Sequence, residues 1–168
     1  MLWLIGMMGS GKSSVGREVA AAHRLDFIDT DALVSSVTES SVADVWSTDG
    51  EATFRRLESQ MIASAAAGKK VVVATGGGVV LDPQNIATMR DAGLVVWLKA
   101  SPSTLAARLG EGTGRPLLAG ADDPVGVLRE LLATREDRYA RAAHARVDTD
   151  DKPVAAVVDE VLELWTAS

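Results

Sequence analysis

A glycine-rich segment near the start of the chain has the residues and spacing of a phosphate-binding loop. Residues 6–13 read Gly-Met-Met-Gly-Ser-Gly-Lys-Ser, which fits the pattern G-x-x-x-x-G-K-[ST] at every defined position. Glycines let the backbone close around phosphate oxygens, Lys12 would neutralise the β- and γ-phosphates, and the Ser13 hydroxyl would ligate Mg²⁺. An ordinary glycine-rich turn has no need of Lys-Ser at this offset, so the pattern predicts nucleotide binding.

Two carboxylates, those of Asp29 and Asp31, come directly after a short apolar run. They should therefore lie at the carboxyl edge of a sheet, where ligands bind in open α/β folds. One can help to hold Mg²⁺ through water, and the other can take the proton of an acceptor hydroxyl. Capping of the following helix explains an Asp cluster here equally well. From the residues alone, both interpretations stay open.

A further group of charges lies in the segment 49–58. Phe54 and Glu58 are four residues apart on one helix face, and Arg55 and Glu58 are three apart. At that spacing the carboxylate can orient the guanidinium, whose free edge can then bind an anionic substrate bidentately. A solvated surface ion pair is the alternative.

Three glycines and two more arginines complete the set of residues that chemistry could use. The glycines are Gly76, Gly77 and Gly78, and a plain turn at a strand end rarely needs so many, so we expect a ligand to approach their backbone. Arg115 lies in a loop and could swing onto a transferring phosphoryl group when the loop closes. Arg135 lies on a long helix just after that loop. For each arginine taken alone, a solvated side chain is the simpler explanation.

The elements that must position these residues follow from the apolar pattern. Short apolar runs alternate with longer segments of helical period, which indicates a parallel sheet covered by helices. Five strands are predicted, at residues 2–5, 26–28, 71–75, 94–99 and 146–148. The final helix should begin with Asp151 as its N-cap and Pro153 in its first turn. The glycine-rich stretch at 110–122 has little periodicity and is interpreted as a mobile, functional loop.

Composition sets the class of protein. A length of 168 residues with 47% hydrophobic side chains predicts one globular domain over residues 1–168. The net charge of −6 argues against nucleic acid as a partner. The apolar runs fall well short of the ~20 residues that a membrane helix needs. The N-terminus has no basic region before its apolar residues, unlike a signal peptide, so we expect a cytoplasmic protein. The absence of cysteine excludes a disulfide framework and cysteine catalysis.

Together these motifs resemble those of the shikimate kinase family, in the same order and spacing over about residues 2–153. The resemblance rests on the phosphate-binding loop, Phe-Ile-Asp-Thr-Asp at 27–31, Gly-Glu followed by Phe-Arg at 50–55, the three glycines, and Arg-Pro-Leu-Leu at 115–118. It implies transfer of the ATP γ-phosphate to the 3-hydroxyl of shikimate, a step of chorismate and aromatic amino acid biosynthesis. The implied fold is a three-layer α/β sandwich of the P-loop type, with a five-stranded parallel sheet. Substrate-binding helices would span about residues 31–62, and the lid about 110–122.

The resemblance also implies roles for individual residues. Asp31 would be the catalytic base, with Lys12 and Arg115 acting on the transferring phosphoryl group. Mg²⁺ would be held by Ser13 and, through water, by Asp29. The implied ATP-binding residues are Gly9, Ser10, Gly11, Lys12, Ser13, Ser14, Arg108, Arg115 and Pro153. The implied shikimate-binding residues are Asp31, Arg55, Gly76, Gly77, Gly78 and Arg135.

One departure from the family pattern bears on the substrate. Asp137 and Arg138 stand where the family usually has proline and leucine, so Arg138 is a second candidate for the carboxylate role of Arg135. The alternative functions are a related small kinase for another polyol acid, such as gluconate, and a nucleotide-binding relative without catalysis. The expected partners are ATP and shikimate, without nucleic acid or membrane, and the expected state is a monomer.

Overall fold

A computed structural model of the protein describes residues 1–110, 116–118 and 120–167. The strands within this described part of the chain are β1 Leu2–Ile5, β2 Asp26–Asp29, β3 Val71–Ala74, β4 Leu94–Lys99 and β5 Ala145–Asp148. The α-helices are α1 Lys12–His23, α2 Thr30–Thr38, α3 Val42–Ala66, α4 Pro83–Ala92, α5 Pro102–Leu109, α6 Pro124–Ala142 and α7 Val154–Thr166. Short 3₁₀ helices cover Val79–Leu81 and Pro116–Leu118.

The strands form one parallel sheet in the order β2-β3-β1-β4-β5. Every predicted strand is present, and its ends differ from the predicted ones by one residue at most. Helices cover both faces of the sheet, so the predicted three-layer α/β architecture is confirmed. The prediction succeeded most clearly for β1, β3 and β4, because strands buried on both faces are apolar at nearly every position. The edge strands β2 and β5 are more polar and less buried.

Alternation along the strands divides the interior into two layers. Trp3 and Ile5 of β1 belong to the layer that packs against α3, α4, α5 and α6. Leu2 and Leu4 belong to the layer beneath α1 and α7. Successive side chains of a strand point to opposite faces, so each strand contributes to both layers. A smaller cluster of Val34, Val45 and Phe54 packs α2 against α3.

The order of the strands brings three chemically important segments to one edge of the sheet. Leu4 of β1 is in register with Ala74 of β3, which is also in register with Asp29 of β2. The loop after β1, the acids after β2 and the glycines after β3 are therefore neighbours. Along the chain, β2 and β3 are added on one side of β1, and β4 and β5 are then added on its other side. Open α/β sheets form a ligand crevice where the direction changes in this way.

The start of α7 differs from its prediction. Pro153 is the N-cap residue, and Asp151 lies before the helix in a left-handed conformation with φ of 55°. The prediction of Asp151 as N-cap is therefore wrong. The carbonyl of Pro153 accepts N–H bonds from the first turn of α7, so the helix is organised two residues later than the acidic residue suggested.

The predicted loop at 110–122 lies in part outside the described residues. The structure describes Gly110, Pro116–Leu118 and residues 120–122 of it. Arg115 lies outside the described residues, so its predicted contact with phosphate stays a prediction. None of the described helices is long and apolar enough to cross a membrane.

A matched pair of valine substitutions tests the burial of the sheet. Val73 of β3 is 0% exposed and Val37 of α2 is 63% exposed. We expect Val73→Ala to lower the free energy of unfolding by about 2 kcal/mol, because it removes two buried methyl groups and leaves a cavity. Val37→Ala should change it by less than about 0.5 kcal/mol. Urea unfolding followed by circular dichroism measures both, and equal effects would contradict the layer assignment.

Candidate active site

A cavity of about 830 Å³ opens at the carboxyl edge of the sheet, and the phosphate-binding loop lines it from Met8 to Val15. Gly11 is the N-cap residue of α1, with φ of 93°, and has no side chain to cap the helix. The first N–H groups of α1 thus remain for a ligand, together with the positive end of the helix dipole. Lys12 is folded along the loop and donates to the carbonyl of Met7 at 2.8 Å.

Asp29 uses its two carboxylate oxygens for different purposes. Its Oδ2 accepts a hydrogen bond from Ser13 Oγ at 2.6 Å, and both residues line the large cavity. Its Oδ1 accepts the N–H groups of Asp31 at 3.1 Å and of Ala32 at 3.4 Å, which caps α2. The capping interpretation is therefore confirmed for Asp29, and its role toward Mg²⁺ stays a prediction. The cap fixes the carboxylate while its other oxygen faces the serine that follows Lys12.

A smaller cavity adjoins the first and holds the predicted acceptor residues. Met8, Asp31, Val42 and Gly77 line both cavities, so the two are adjacent. The remaining residues that line the smaller one are Trp46, Phe54, Arg55, Glu58, Gly76, Gly78, Leu117 and Arg135. The structure thus brings Asp31, Arg55 and Arg135 together beside the three glycines after β3.

Arg55 is held in place by a carboxylate and an aromatic ring. Its Nη1 donates to Glu58 Oε2 at 2.8 Å, and the Glu58 side chain is only 1% exposed. The guanidinium also lies 5.2 Å from the ring centre of Trp46, a cation–π arrangement. Because Glu58 is buried, the alternative of a solvated surface pair is wrong. α3 is interrupted shortly before Arg55, at Gly50, where φ is 82° and ψ is 163°.

The Glu58 carboxyl group lies close to a second acid. Burial raises the pKa of Glu58, and the Arg55 guanidinium opposes this shift while the charge of Asp31 adds to it. A Cβ atom on Gly76 would collide with Glu58 Oε1 and would lie 2.8 Å from Asp31 Oδ1. Glycine at this position therefore lets the two carboxylates approach the turn after β3 from the same side.

Arg135 is buried, with 5% of its surface exposed, so the explanation of a solvated helix arginine is wrong. Its Nη1 donates to the carbonyl oxygen of Gly77 at 3.3 Å, and the hydroxyl of Tyr139 donates to the same oxygen. Arg138 points elsewhere, because it is exposed and donates to the carbonyl of Leu81 at 3.0 Å. Of the two candidates, Arg135 and Arg138, the structure brings only Arg135 to the cavity.

The far end of the large cavity contains two more residues that the resemblance singled out. Arg108 and Pro153 line it beside Thr149 and Lys152. Arg108 is fixed by a hydrogen bond from Nη1 to Thr149 Oγ1 at 2.9 Å. Asp150 accepts the backbone N–H of Ser101, at the start of α5, at 3.0 Å. These contacts fix residues of α5 and of the segment after β5 that line the cavity.

Sequence reasoning missed three residues that shape the site. Thr30 is fully buried, and its Oγ1 accepts the N–H of Gly76 at 3.0 Å. In the sequence, only the position of Thr30 between Asp29 and Asp31 suggested that it lies at the site. Trp46 and Tyr139 were missed because an aromatic residue at helical spacing is normally read as part of the core. Their contacts with Arg55 and Gly77 depend on residues distant in the chain or across a kink.

Comparisons with known proteins indicate one family. A protein-family model described as shikimate kinase matches residues 8–166. The shikimate kinase of Symbiobacterium thermophilum is 48% identical over 162 residues, which cover 95% of this chain and 92% of that protein. Shikimate kinase from Acinetobacter baumannii in complex with shikimate has a TM-score of 0.95 at 29% identity, covering 99% of this chain and 92% of that one. A gluconokinase from Sinorhizobium meliloti has a TM-score of 0.62 at 24% identity, covering 99% and 91%, which shows the fold alone.

The burial of the Tyr139 hydroxyl can be tested directly, because Tyr139 is the single tyrosine of the chain. Burial raises the pKa of Tyr139 above its usual value of about 10. A phenol with a raised pKa in the folded state contributes stability that is fully present below pH ~10 and is lost at higher pH. In an alkaline titration we expect tyrosinate absorbance to appear only as the helical circular dichroism disappears. A tyrosinate band in the folded protein would contradict the buried hydroxyl.

Proposed function

The chain belongs to the shikimate kinase family, and we propose that it transfers the γ-phosphate of ATP to the 3-hydroxyl of shikimate, giving shikimate 3-phosphate and ADP. The convergence of Arg55 and Arg135 on one cavity carries the proposal. A planar carboxylate is bound best by guanidinium groups, each of which can donate two parallel hydrogen bonds. The residues that this cavity shares with the phosphate-binding cavity would bring a bound acid close to a nucleotide.

The phosphates of ATP are proposed to bind where the loop after β1 meets α1. The proposed contacts are Gly9, Ser10, Gly11, Lys12, Ser13 and Ser14, all of which line the large cavity. Backbone N–H groups would donate to phosphate oxygens, and Lys12 would exchange its bond to the Met7 carbonyl for the β- and γ-phosphates. Arg108 and Pro153 would contact the adenine at the opposite wall. Arg115 is proposed to reach the phosphates from the lid, on the resemblance alone.

The pair of Ser13 and Asp29 fits a nucleotide-bound Mg²⁺. Mg²⁺ keeps several waters and is usually bound through one or two protein groups together with substrate phosphates. A serine hydroxyl 2.6 Å from a carboxylate, both lining the cavity of the phosphate-binding loop, offers a direct ligand and an acceptor for a bound water. When bound there, Mg²⁺ neutralises charge on the β- and γ-phosphates.

Asp31 is proposed as the base for the acceptor hydroxyl. It lines both cavities and therefore lies between the proposed phosphate and acid sites. As the hydroxyl oxygen bonds to the γ-phosphorus, its proton would pass to the Asp31 carboxylate and ADP would leave. Phosphoryl transfer depends on positioning and electrostatic stabilisation more than on a strong base. The residues that hold the ring, including the backbone of Gly76, Gly77 and Gly78, are therefore as important as Asp31.

The proposal also covers the cellular location and the oligomeric state of the enzyme. We propose that the enzyme is a cytoplasmic monomer. A kinase for gluconate and a nucleotide-binding relative without catalysis are the alternatives that the assay below separates.

The first test measures ADP release from Mg·ATP with shikimate, with gluconate and with no acceptor. We expect release with shikimate only, and we expect Asp31→Asn to lower kcat by about 100-fold or more because it removes the proton acceptor. Asp91→Asn, on the exposed side of α4, is the matched control and should leave the rate unchanged. ADP release with gluconate alone would show that shikimate is not the acceptor. No release with any acceptor would favour a nucleotide-binding relative without catalysis.

A second test addresses the carboxylate site through two adjacent arginines. Arg55 lines the acceptor cavity, whereas Arg56 is exposed on the same helix. Arg55→Ala should raise the KM for shikimate by about 10- to 100-fold, because charged hydrogen bonds contribute about 1.5–3 kcal/mol. The KM for ATP should change little. Arg56→Ala should leave both constants near those of the unaltered chain. If Arg55→Ala raised the KM for ATP instead, the assignment of Arg55 to the shikimate carboxylate would be wrong.

A further inference from the structure

We propose that Tyr139 is a positioning residue that aims Arg135 at the substrate by anchoring the Gly77 carbonyl oxygen to which both side chains donate. The inference deepens the proposed function and rests on it, because it takes the substrate carboxylate to be the ligand of Arg135. Tyr139 itself is absent from the residues that line either cavity. Its effect on the substrate would therefore pass through Gly77 and Arg135.

The shared acceptor is the first observation. Arg135 and Tyr139 are one turn apart on α6, and both donate to the oxygen of Gly77, across 58 and 62 residues of the chain respectively. A carbonyl oxygen has two lone pairs and can accept both donors. Arg135 Nη1 donates to this oxygen at 3.3 Å, and the Tyr139 hydroxyl is its second donor. The hydroxyl therefore helps to fix the oxygen that Arg135 uses.

The rigidity of Tyr139 is the second observation. The side chain is 0% exposed, and its ring stacks on Trp97 of β4 with centroids 5.6 Å apart and planes 19° apart. Trp97 is in register with Ile5 of the central strand β1. The hydroxyl therefore extends from a fixed part of the core. Burial raises the pKa of Tyr139, so the hydroxyl keeps its proton and remains a donor at neutral pH.

The weakness of the turn is the third observation. The peptide that carries the Gly77 oxygen joins two glycines, and no side chain of its own restrains its rotation. A Cβ on Gly78 would collide with the Arg55 guanidinium, so a bulkier residue cannot supply the restraint. Backbone N–H groups of Val79 and Leu81 hold the neighbouring carbonyls of Gly76 and Gly78. The Gly77 oxygen is held instead by Arg135 and Tyr139. Loss of the Tyr139 hydroxyl would leave this oxygen with one donor fewer and would loosen the orientation of the Arg135 guanidinium.

The decisive variant is Tyr139→Phe, which keeps the ring stacked on Trp97 and removes only the hydroxyl. One lost hydrogen bond contributes about 0.5–1.5 kcal/mol, so we expect the KM and the Kd for shikimate to rise about 3- to 10-fold. The KM for ATP should not change. Arg138→Gln is the control, because Arg138 also tethers α6 to the segment after β3 but donates to Leu81. It should leave the shikimate constants unaltered.

A double-mutant cycle separates positioning from a general structural role. In the Arg135→Ala background, Tyr139→Phe should have no further effect on the Kd for shikimate, because the side chain that it positions is absent. An equal loss in both backgrounds would overturn the proposal, as would unchanged shikimate constants in Tyr139→Phe alone. Shikimate-dependent ADP release by the unaltered chain tests the proposed function separately, so the two failures are distinguishable. Absence of that release would overturn both.

A crystal structure of the unaltered chain with shikimate gives a readout that does not depend on the variant folding. We expect Arg135 to bind the carboxylate while it and Tyr139 both remain on the Gly77 oxygen. If Arg135 left that oxygen when the acid bound, or if the Tyr139 hydroxyl donated elsewhere, the proposal would be wrong.

Discussion

The acceptor half of the site depends on one backbone turn that has no side chains, residues 76–78 after β3. The N–H group of Gly76 donates to Thr30 Oγ1. Arg135 and Tyr139 both donate to the carbonyl oxygen of Gly77. The Arg55 guanidinium occupies the space that a side chain on Gly78 would need. Charged groups can come this close to a backbone only where no Cβ atom intervenes. Two acids and two arginines can therefore meet around a space suited to a small planar acid.

Such a concentration of charge has to be compensated within the protein, because a buried ion without a partner is costly. Glu58 has its partner in Arg55, and Arg135 donates to a backbone carbonyl. A bound monoanionic acid would add a further partner for each guanidinium. The local pairing of charges explains how a chain with a net charge of −6 can offer an anion site.

The geometry of the sheet joins the two halves of the site. The loop after β1 and the turn after β3 are neighbours because β1 and β3 are paired in parallel, with β2 on the far side of β3. Asp31 and Gly77 line both cavities as a result. Transfer between a nucleotide and a hydroxyl requires the two to be held close and in line. The parallel sheet supplies that closeness before either substrate binds, and the side chains only refine it.

The sequence by itself determined the features that depend on short-range spacing. These include the phosphate-binding loop, the strands and the pairing of Arg55 with Glu58 three residues later, since local geometry dictates each of them. It left open whether Asp29 caps the following helix, and whether Arg135 or Arg138 enters the cavity. It also misplaced the N-cap of α7 at Asp151. Only the tertiary structure decided these points, because the burial of a helix face and the acceptor of a side chain depend on segments distant in the sequence. Tyr139 is the clearest case, since the oxygen to which it donates lies 62 residues away, and no local pattern specifies that contact.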